Sequence, residues 1–197
     1  MTSDEALMLE FQGGSRTAFE ELFARHRKTL YGFFRRRLNN AERAEELTQE
    51  TFLAVIRSAS RYEPRALVGT YLCGIALKLL AAERRKFLTS STSGQSAPEP
   101  KTDGTSERVL WVRQAMEKLD APDRDILMLR EYEQLSYFEI GELLRIPVNT
   151  VRSRLFRSRL ALKNHLESEA RTNPSPRTNA GQPHPGRRGT QLVRTLI

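Results

Sequence analysis

Residues 135–162 read LSYFEIGELLRIPVNTVRSRLFRSRLAL. Ser136 followed three residues later by Glu139 is the reciprocal N-terminal capping pattern, in which each side chain satisfies the other residue's backbone amide. The helix it opens carries Phe138, Ile140, Leu143 and Leu144 and should stop near Pro147, because the residue before a proline is pushed out of helical geometry. A last helix begins at about Asn149. The short break RIPVN between two helices is what a helix-turn-helix requires. At roughly 100° per residue, Val151, Leu155, Ser158, Leu162 and Leu166 of the last helix fall on one narrow stripe, which must face its own domain. Opposite lie Ser153, Phe156 and Arg157, with Arg152 and Arg154 on the two flanks. A compact polar and cationic face on the N-terminal half of such a helix is where a recognition helix meets base edges in the major groove.

Charge supports that reading. Residues 145–163 contain Arg145, Arg152, Arg154, Arg157, Arg159 and Lys163 without a single acid, whereas residues 117–142 are mostly acidic. One face attracts phosphate, and the acidic side suits a protein partner. The whole chain of 197 residues carries a formal net charge of +8, again pointing to an acidic partner.

Upstream, Val109, Val112, Met116 and Leu119 mark one helix and Pro122 suits the first turn of another that runs through DRDILMLREY. Before them, residues 89–106 (TSSTSGQSAPEPKTDGTS) contain no Leu, Ile, Val or aromatic residue, so they cannot build a core and read as a flexible linker. In the first half, Phe19, Leu22, Phe23, His26, Leu30, Phe33, Phe34 and Leu38 recur at intervals of three and four, and Leu47, Thr48, Thr51, Val55, Ile56 and Ala59 do so again. A third helix fits residues 70–87, with Pro64 and Gly69 making residues 61–69 a connecting loop. The expected architecture is all-α: a helical bundle over residues 1–88, the linker at 89–106, a helix-turn-helix domain at 107–170, and a disordered basic, proline-rich tail at 171–197.

Other functions are disfavoured. The lone Cys73 lies in the apolar run YLCGIALKLLAA and reads as a buried structural thiol. His26, His165 and His184 are scattered without companion cysteines, so neither a metal site nor a cofactor is expected. No glycine-rich nucleotide loop, nucleophile with a base, or recognisable carboxylate pair suggests an enzyme. The N-terminus MTSDEALMLEFQGG has neither a basic start nor an apolar core, and no stretch approaches the roughly 20 apolar residues of a membrane span. A cytoplasmic location is the expectation.

Residues 135–162 resemble the promoter-reading helix-turn-helix of the extracytoplasmic-function (ECF) sigma factors of the bacterial sigma-70 family, whose pattern is close to L-S-Y-x-E-I-A-x-x-L-x-I-P-x-G-T-V-x-S-R-L-x-R-A-R. AERAEELTQETFLAVIRS at 41–58 is similar to that family's segment for docking on core RNA polymerase, and YLCGIALKLLAAERRK at 71–86 to its segment for opening and reading the −10 promoter element. The resemblance implies a transcription initiation factor whose partners are core polymerase, promoter DNA and an anti-sigma factor. Position by position it assigns core binding to Glu46, Gln49 and Glu50, and −35 duplex contacts to Arg152, Ser153, Arg154, Phe156 and Arg157.

Where the family has W-L-x-R-I-A-x-N-x-x-x-D, this chain has Tyr71, Gly74, Lys78 and Ala82 at the polar and aromatic positions. Lys78 keeps a donor and adds charge but loses the acceptor of an amide. Arg145 and Asn149 stand where glycine is frequent, and Asn149 tolerates the change better. In the loop where the family captures an unpaired −10 base, Tyr62 offers a stacking surface and Arg65 a phosphate contact, although a buried tyrosine and a solvated arginine suit the same residues equally well. The alternative to a polymerase subunit is a helix-turn-helix regulator that binds duplex DNA alone. Such a repressor has no use for a first domain carrying E-L-T-Q-E and a separate basic segment, and a protein-only adaptor leaves the arginine face unexplained.

Overall fold

The computed structural model of the protein describes residues 2–38, 40–90 and 107–172. All their regular structure is helical, and the chain divides into two compact units, Met1–Lys101 and Thr102–Ile197.

The first unit contains α1 (Asp4–Gln12), α2 (Arg16–Arg35), α3 (Ala41–Ser58), a single 3₁₀ turn (Ala59–Arg61) and α4 (Val68–Ser90). Each of the first three helices opens on a polar cap: the Ser3 hydroxyl accepts from Ala6 N at 3.2 Å, Ser15 from Ala18 N at 3.3 Å, and the Asn40 side chain from Arg43 N at 3.0 Å. Gly14, at φ 100°, turns the chain from α1 into α2. Met8, Phe33, Phe34, Leu47, Val55 and Leu80 form the fully buried centre, and Phe52 is ringed by Phe19 and Phe23. Thr48 and Thr51 are buried without penalty, since their hydroxyls donate to Ala44 O and Leu47 O one turn back.

Two features depart from the sequence reading. Helix α1 was not anticipated in MTSDEALMLEFQGG: it is nine residues long and buries only Leu7 and Met8, too few positions to establish a period. Ile56, placed by its spacing on the inner stripe of α3, is 46% exposed, because Val55 takes the inward position beside it.

The second unit holds α5 (Glu107–Glu117), α6 (Ala121–Glu131), α7 (Tyr137–Leu144) and α8 (Val148–Thr172), with α5, α6 and α7 each packing on α8. The core comprises Ile126, Leu127 and Leu129 of α6, Ile140 of α7, and Val151, Leu155 and Leu162 of α8. Both bonds of the Ser136–Glu139 capping box form, at 2.8 and 3.2 Å. Phe138, read from sequence as one of the apolar residues of α7, is 66% exposed. Helices α4 and α8 each run two residues past the boundaries expected for the bundle and the helix-turn-helix domain; the rest of the expected linker and the expected basic tail lie outside the described residues.

Candidate nucleic-acid interface

Helix α7 ends at Leu144, and Arg145 adopts the left-handed conformation at φ 55° and ψ 47°. This is why glycine suits the position, and the arginine bears the strain of a Cβ there. The Ile146 amide then donates to Gly141 O at 3.0 Å, folding the turn against its own helix; a Cβ on Gly141 would stand 3.0 Å from the Ile146 carbonyl oxygen. Pro147, which cannot donate, supplies a carbonyl accepting from Thr150 N at 2.8 Å and Val151 N at 3.1 Å, and so starts α8.

Along α8 the inward stripe is Val151, Leu155, Ser158 and Leu162, none more than 2% exposed, with Ser158 Oγ donating to Arg154 O at 2.8 Å. Leu166 is half-buried. Arg152, Ser153, Phe156 and Arg157 are exposed and Arg154 half-buried, so these five candidate −35 residues share one outward face. Phe156 is 69% exposed among the arginines. Ser153 Oγ donates to Thr150 O at 3.1 Å, so its exposed hydroxyl keeps acceptor capacity.

The acid-free run is not a uniform cationic surface. Arg159 makes hydrogen bonds to Glu131 Oε1 from Nε at 3.1 Å and Nη2 at 2.5 Å, tying α8 to α6, and Lys163 sits 3.6 Å from Glu167. Among the described side chains of α8, the cationic face therefore lies in the first half of the helix.

In the first unit, Glu46 and Gln49 are exposed and Glu50 half-buried on α3. The two carboxylates are not independent: Arg43 Nη1 donates to Glu46 at 2.7 Å and Glu50 at 3.1 Å, while its Nε and Nη2 grip both oxygens of Glu83 on α4 at 2.7 Å each. Those hydrogen bonds from Arg43 hold the Glu83 carboxyl below its usual range, although burial opposes the shift. Leu53, 48% exposed, and Ile56 continue the Glu46 and Gln49 face at helical spacing. Sequence reasoning missed this apolar extension; an L-x-x-I spacing continuing from Glu46 and Gln49 was its only signal.

The candidate −10 residues fall into two sets. Tyr62 is 5% exposed, its ring edge-on to Tyr71 at 5.3 Å, so the stacking surface expected of it is turned inward. Its phenol is held above the ordinary value by burial, with Glu5 adding to the effect. Tyr71 is half-buried and shares a 2.7 Å hydrogen bond with Ser58 Oγ. Arg65 and Lys78 are exposed, the former paired with Glu63, and Leu67, in the same loop as Arg65, is 61% exposed. Gly74 and Ala82 are half-buried on α4. Cys73 is buried and unbridged. Among the described residues no helix is long and apolar enough to cross a membrane.

Comparison with known proteins gives two family matches: the model described as Sigma-70 region 2 over residues 22–86, and that described as Sigma-70, region 4 over residues 110–162. The RNA polymerase sigma factor CarQ of Myxococcus xanthus is 32% identical over 165 residues, covering 81% of this chain and 95% of CarQ. The ECF RNA polymerase sigma factor SigW of Bacillus subtilis is 27% identical, over 78% of this chain and 91% of SigW. Among solved structures, CnrH in complex with the cytosolic domain of CnrY aligns with a TM-score of 0.66 at 21% identity, over 85% of this chain and 99% of that one. The sigma factor RpoE of Bartonella quintana, solved with the anti-sigma factor NepR, gives 0.63 at 19% identity, over 76% of this chain and 96% of that one; both show the same fold.

Proposed function

The chain belongs to the extracytoplasmic-function group of the sigma-70 family of RNA polymerase sigma factors, and from that premise we propose how its surfaces divide the work. Residues 1–88 dock on core RNA polymerase and engage the −10 element, residues 107–170 read the −35 duplex, and residues 89–106 link the two. The observation that carries this reading is the outward face of α8, where four of five candidate contacts are exposed opposite a stripe that is fully buried. Arg157, central on that face, is positioned by helical phase to meet a base edge; Arg152 and Arg154, on its flanks, approach the phosphates.

The docking surface is Glu46 and Gln49, extended by Leu53 and Ile56, with Glu50 at its margin. Around the −10 element, Arg65 and Lys78 offer accessible cations, and Tyr62 and Tyr71 support the loop from within. The protein acts by binding rather than by chemistry, in the cytoplasm, where polymerase and DNA are found. An anti-sigma factor is a natural further partner, since two solved structures of this fold hold a sigma factor or relative with a second protein, named in one of them as an anti-sigma factor.

Run-off transcription with purified core polymerase, on promoters enriched by this protein, tests the proposal. Initiation dependent on the protein is the expected result. Specific duplex binding without initiation would favour the stand-alone regulator instead. Charge reversal at Glu46 and Glu50 should weaken capture of core polymerase by about tenfold, with circular dichroism checking that the fold survives the reversed charges facing Arg43. Undiminished capture by a folded double variant would remove the docking assignment.

A further inference from the structure

Helix α1 lies outside the residues matched to Sigma-70 region 2, yet it is fastened to the loop between α3 and α4 at both ends of that loop. At the entry, Gln12 Nε2 donates to Ser60 O and to Tyr62 O, each at 3.2 Å. At the exit, Glu5 Oε1 accepts from the Val68 amide at 3.1 Å. Val68 opens α4, so this amide has no partner within its own helix, and a carboxylate is the group that such a terminus favours.

Between the two tethers, residues 63–67 are all exposed, whereas Tyr62 and Val68 on either side are 5% and 1% exposed. A short accessible span is thus stretched between two buried ends. Helix α1 itself is anchored on α2, by Leu7 and Met8 in the core and by Asp4, whose two carboxylate oxygens each lie 2.6 Å from a partner, Arg25 Nη1 and His26 Nε2. The tethers therefore join the loop to the rigid bundle through side chains that make no part of the loop.

We propose that α1 is a positioning element for the −10-reading loop, with Gln12 and Glu5 as positioning residues that set the geometry of residues 63–67. This rests on the proposed role of that loop at the −10 element. Holding both ends limits the conformers available to Arg65 and Leu67 before DNA arrives, and a contact surface ordered in advance discriminates between bases more sharply than one that adapts to each.

The test uses holoenzyme reconstituted with the full chain and a promoter library varied at the −10 and −35 elements. Gln12→Ala and Glu5→Ala should each lower the ratio of transcription from preferred over disfavoured −10 bases by about two- to tenfold, the span expected for loss of one or two hydrogen bonds. Core affinity and the −35 preference should stay at wild-type values. Glu5→Gln, which keeps the acceptor and loses only the charge, should restore most of the ratio. Hydrogen exchange should show the Val68 amide losing protection in Glu5→Ala and keeping it in Glu5→Gln. An unchanged −10 ratio in both alanine variants, or a fall that Glu5→Gln fails to rescue and the −35 preference shares, overturns the positioning role. Arg65→Ala combined with Leu67→Ala separates the two levels of the argument. If this loop variant abolishes the −10 preference while Gln12→Ala and Glu5→Ala leave it intact, only the positioning role fails; if the loop variant changes nothing, the −10 reading fails and the inference falls with it.

Discussion

The two units use their charged residues differently. In the first, the candidate docking carboxylates Glu46 and Glu50 converge on Arg43, which also grips Glu83, and Arg25 and Arg27 are paired with Asp4, Glu21 and Glu45. In the second, the arginines at 152, 154 and 157 share an outward face, while Arg159 is turned back onto Glu131. Arginines thus fasten helix to helix in both units, and in the second three more share the outward face proposed to meet the −35 duplex. What separates them is helical phase relative to a buried stripe and the presence of an acid on the neighbouring helix.

The largest effect that would sharpen this contrast comes from the stripe itself. Leu155→Ala should cost the second unit about 2–5 kcal/mol, because Leu155 is 1% exposed and its removal leaves a cavity between α8 and the helices packed on it. Denaturant unfolding should show that loss in the second unit alone, with the first unit's transition unmoved; a shared loss would break the description of two separate cores.

Next in size is Arg43→Ala, which strands Glu83 and should destabilise the first unit by about 1–3 kcal/mol near neutral pH. The pH dependence has a defined sign. Asp4 and Glu83 both titrate below their ordinary values in the fold: for Asp4 burial opposes the shift and the bonds from Arg25 and His26 outweigh it, and for Glu83 the Arg43 bonds dominate. A lowered carboxyl contributes stability that is complete above its unfolded pKa, about 4, and is lost as pH falls through the folded value. The gap between wild type and Arg43→Ala should therefore narrow below about pH 4, as followed by thermal unfolding across pH. A gap independent of pH would mean that Arg43 acts through packing.

The smallest effect concerns the turn. Arg145→Gly should stabilise the second unit by about 1 kcal/mol, by relieving a left-handed residue that carries a Cβ. Because Arg145 is exposed and precedes α8, promoter preference should not change. Destabilisation on this change would show that the arginine side chain contributes more than its backbone costs.

Part of this architecture is legible in the sequence, and the reason is physical. The capping box at Ser136 and Glu139, the break at Pro147 and the stripe of α8 are local signals, and each appears in the structure. The five α8 candidates fall on one face because a single long helix converts residue spacing directly into angle. Long-range pairings are not readable in that way. Nothing in the spacing of Arg43 and Glu83, forty residues apart, announces their contact, and the acid-free run at 145–163 gives no sign that Arg159 turns back onto Glu131 of α6. Tyr62 was open to two readings because an exposed loop and a buried tyrosine share the same local sequence; only packing against Tyr71 turns its ring inward. Helix α1 escaped because a nine-residue helix with two buried positions carries its evidence in caps, Ser3 at one end and Gly13 at the other.

The outward face of α8 is proposed to read promoter sequence. The most direct measurement is binding across a −35 variant library at several salt concentrations, for Arg157→Ala beside Arg152→Ala. Arg157→Ala should relax base preference and cost about 1–3 kcal/mol, and Arg152→Ala should weaken all sequences alike and reduce the salt slope by about one. If Arg157→Ala leaves the preference profile intact and alters only the salt slope, Arg157 is a phosphate contact and the claim that the centre of this face reads bases is contradicted.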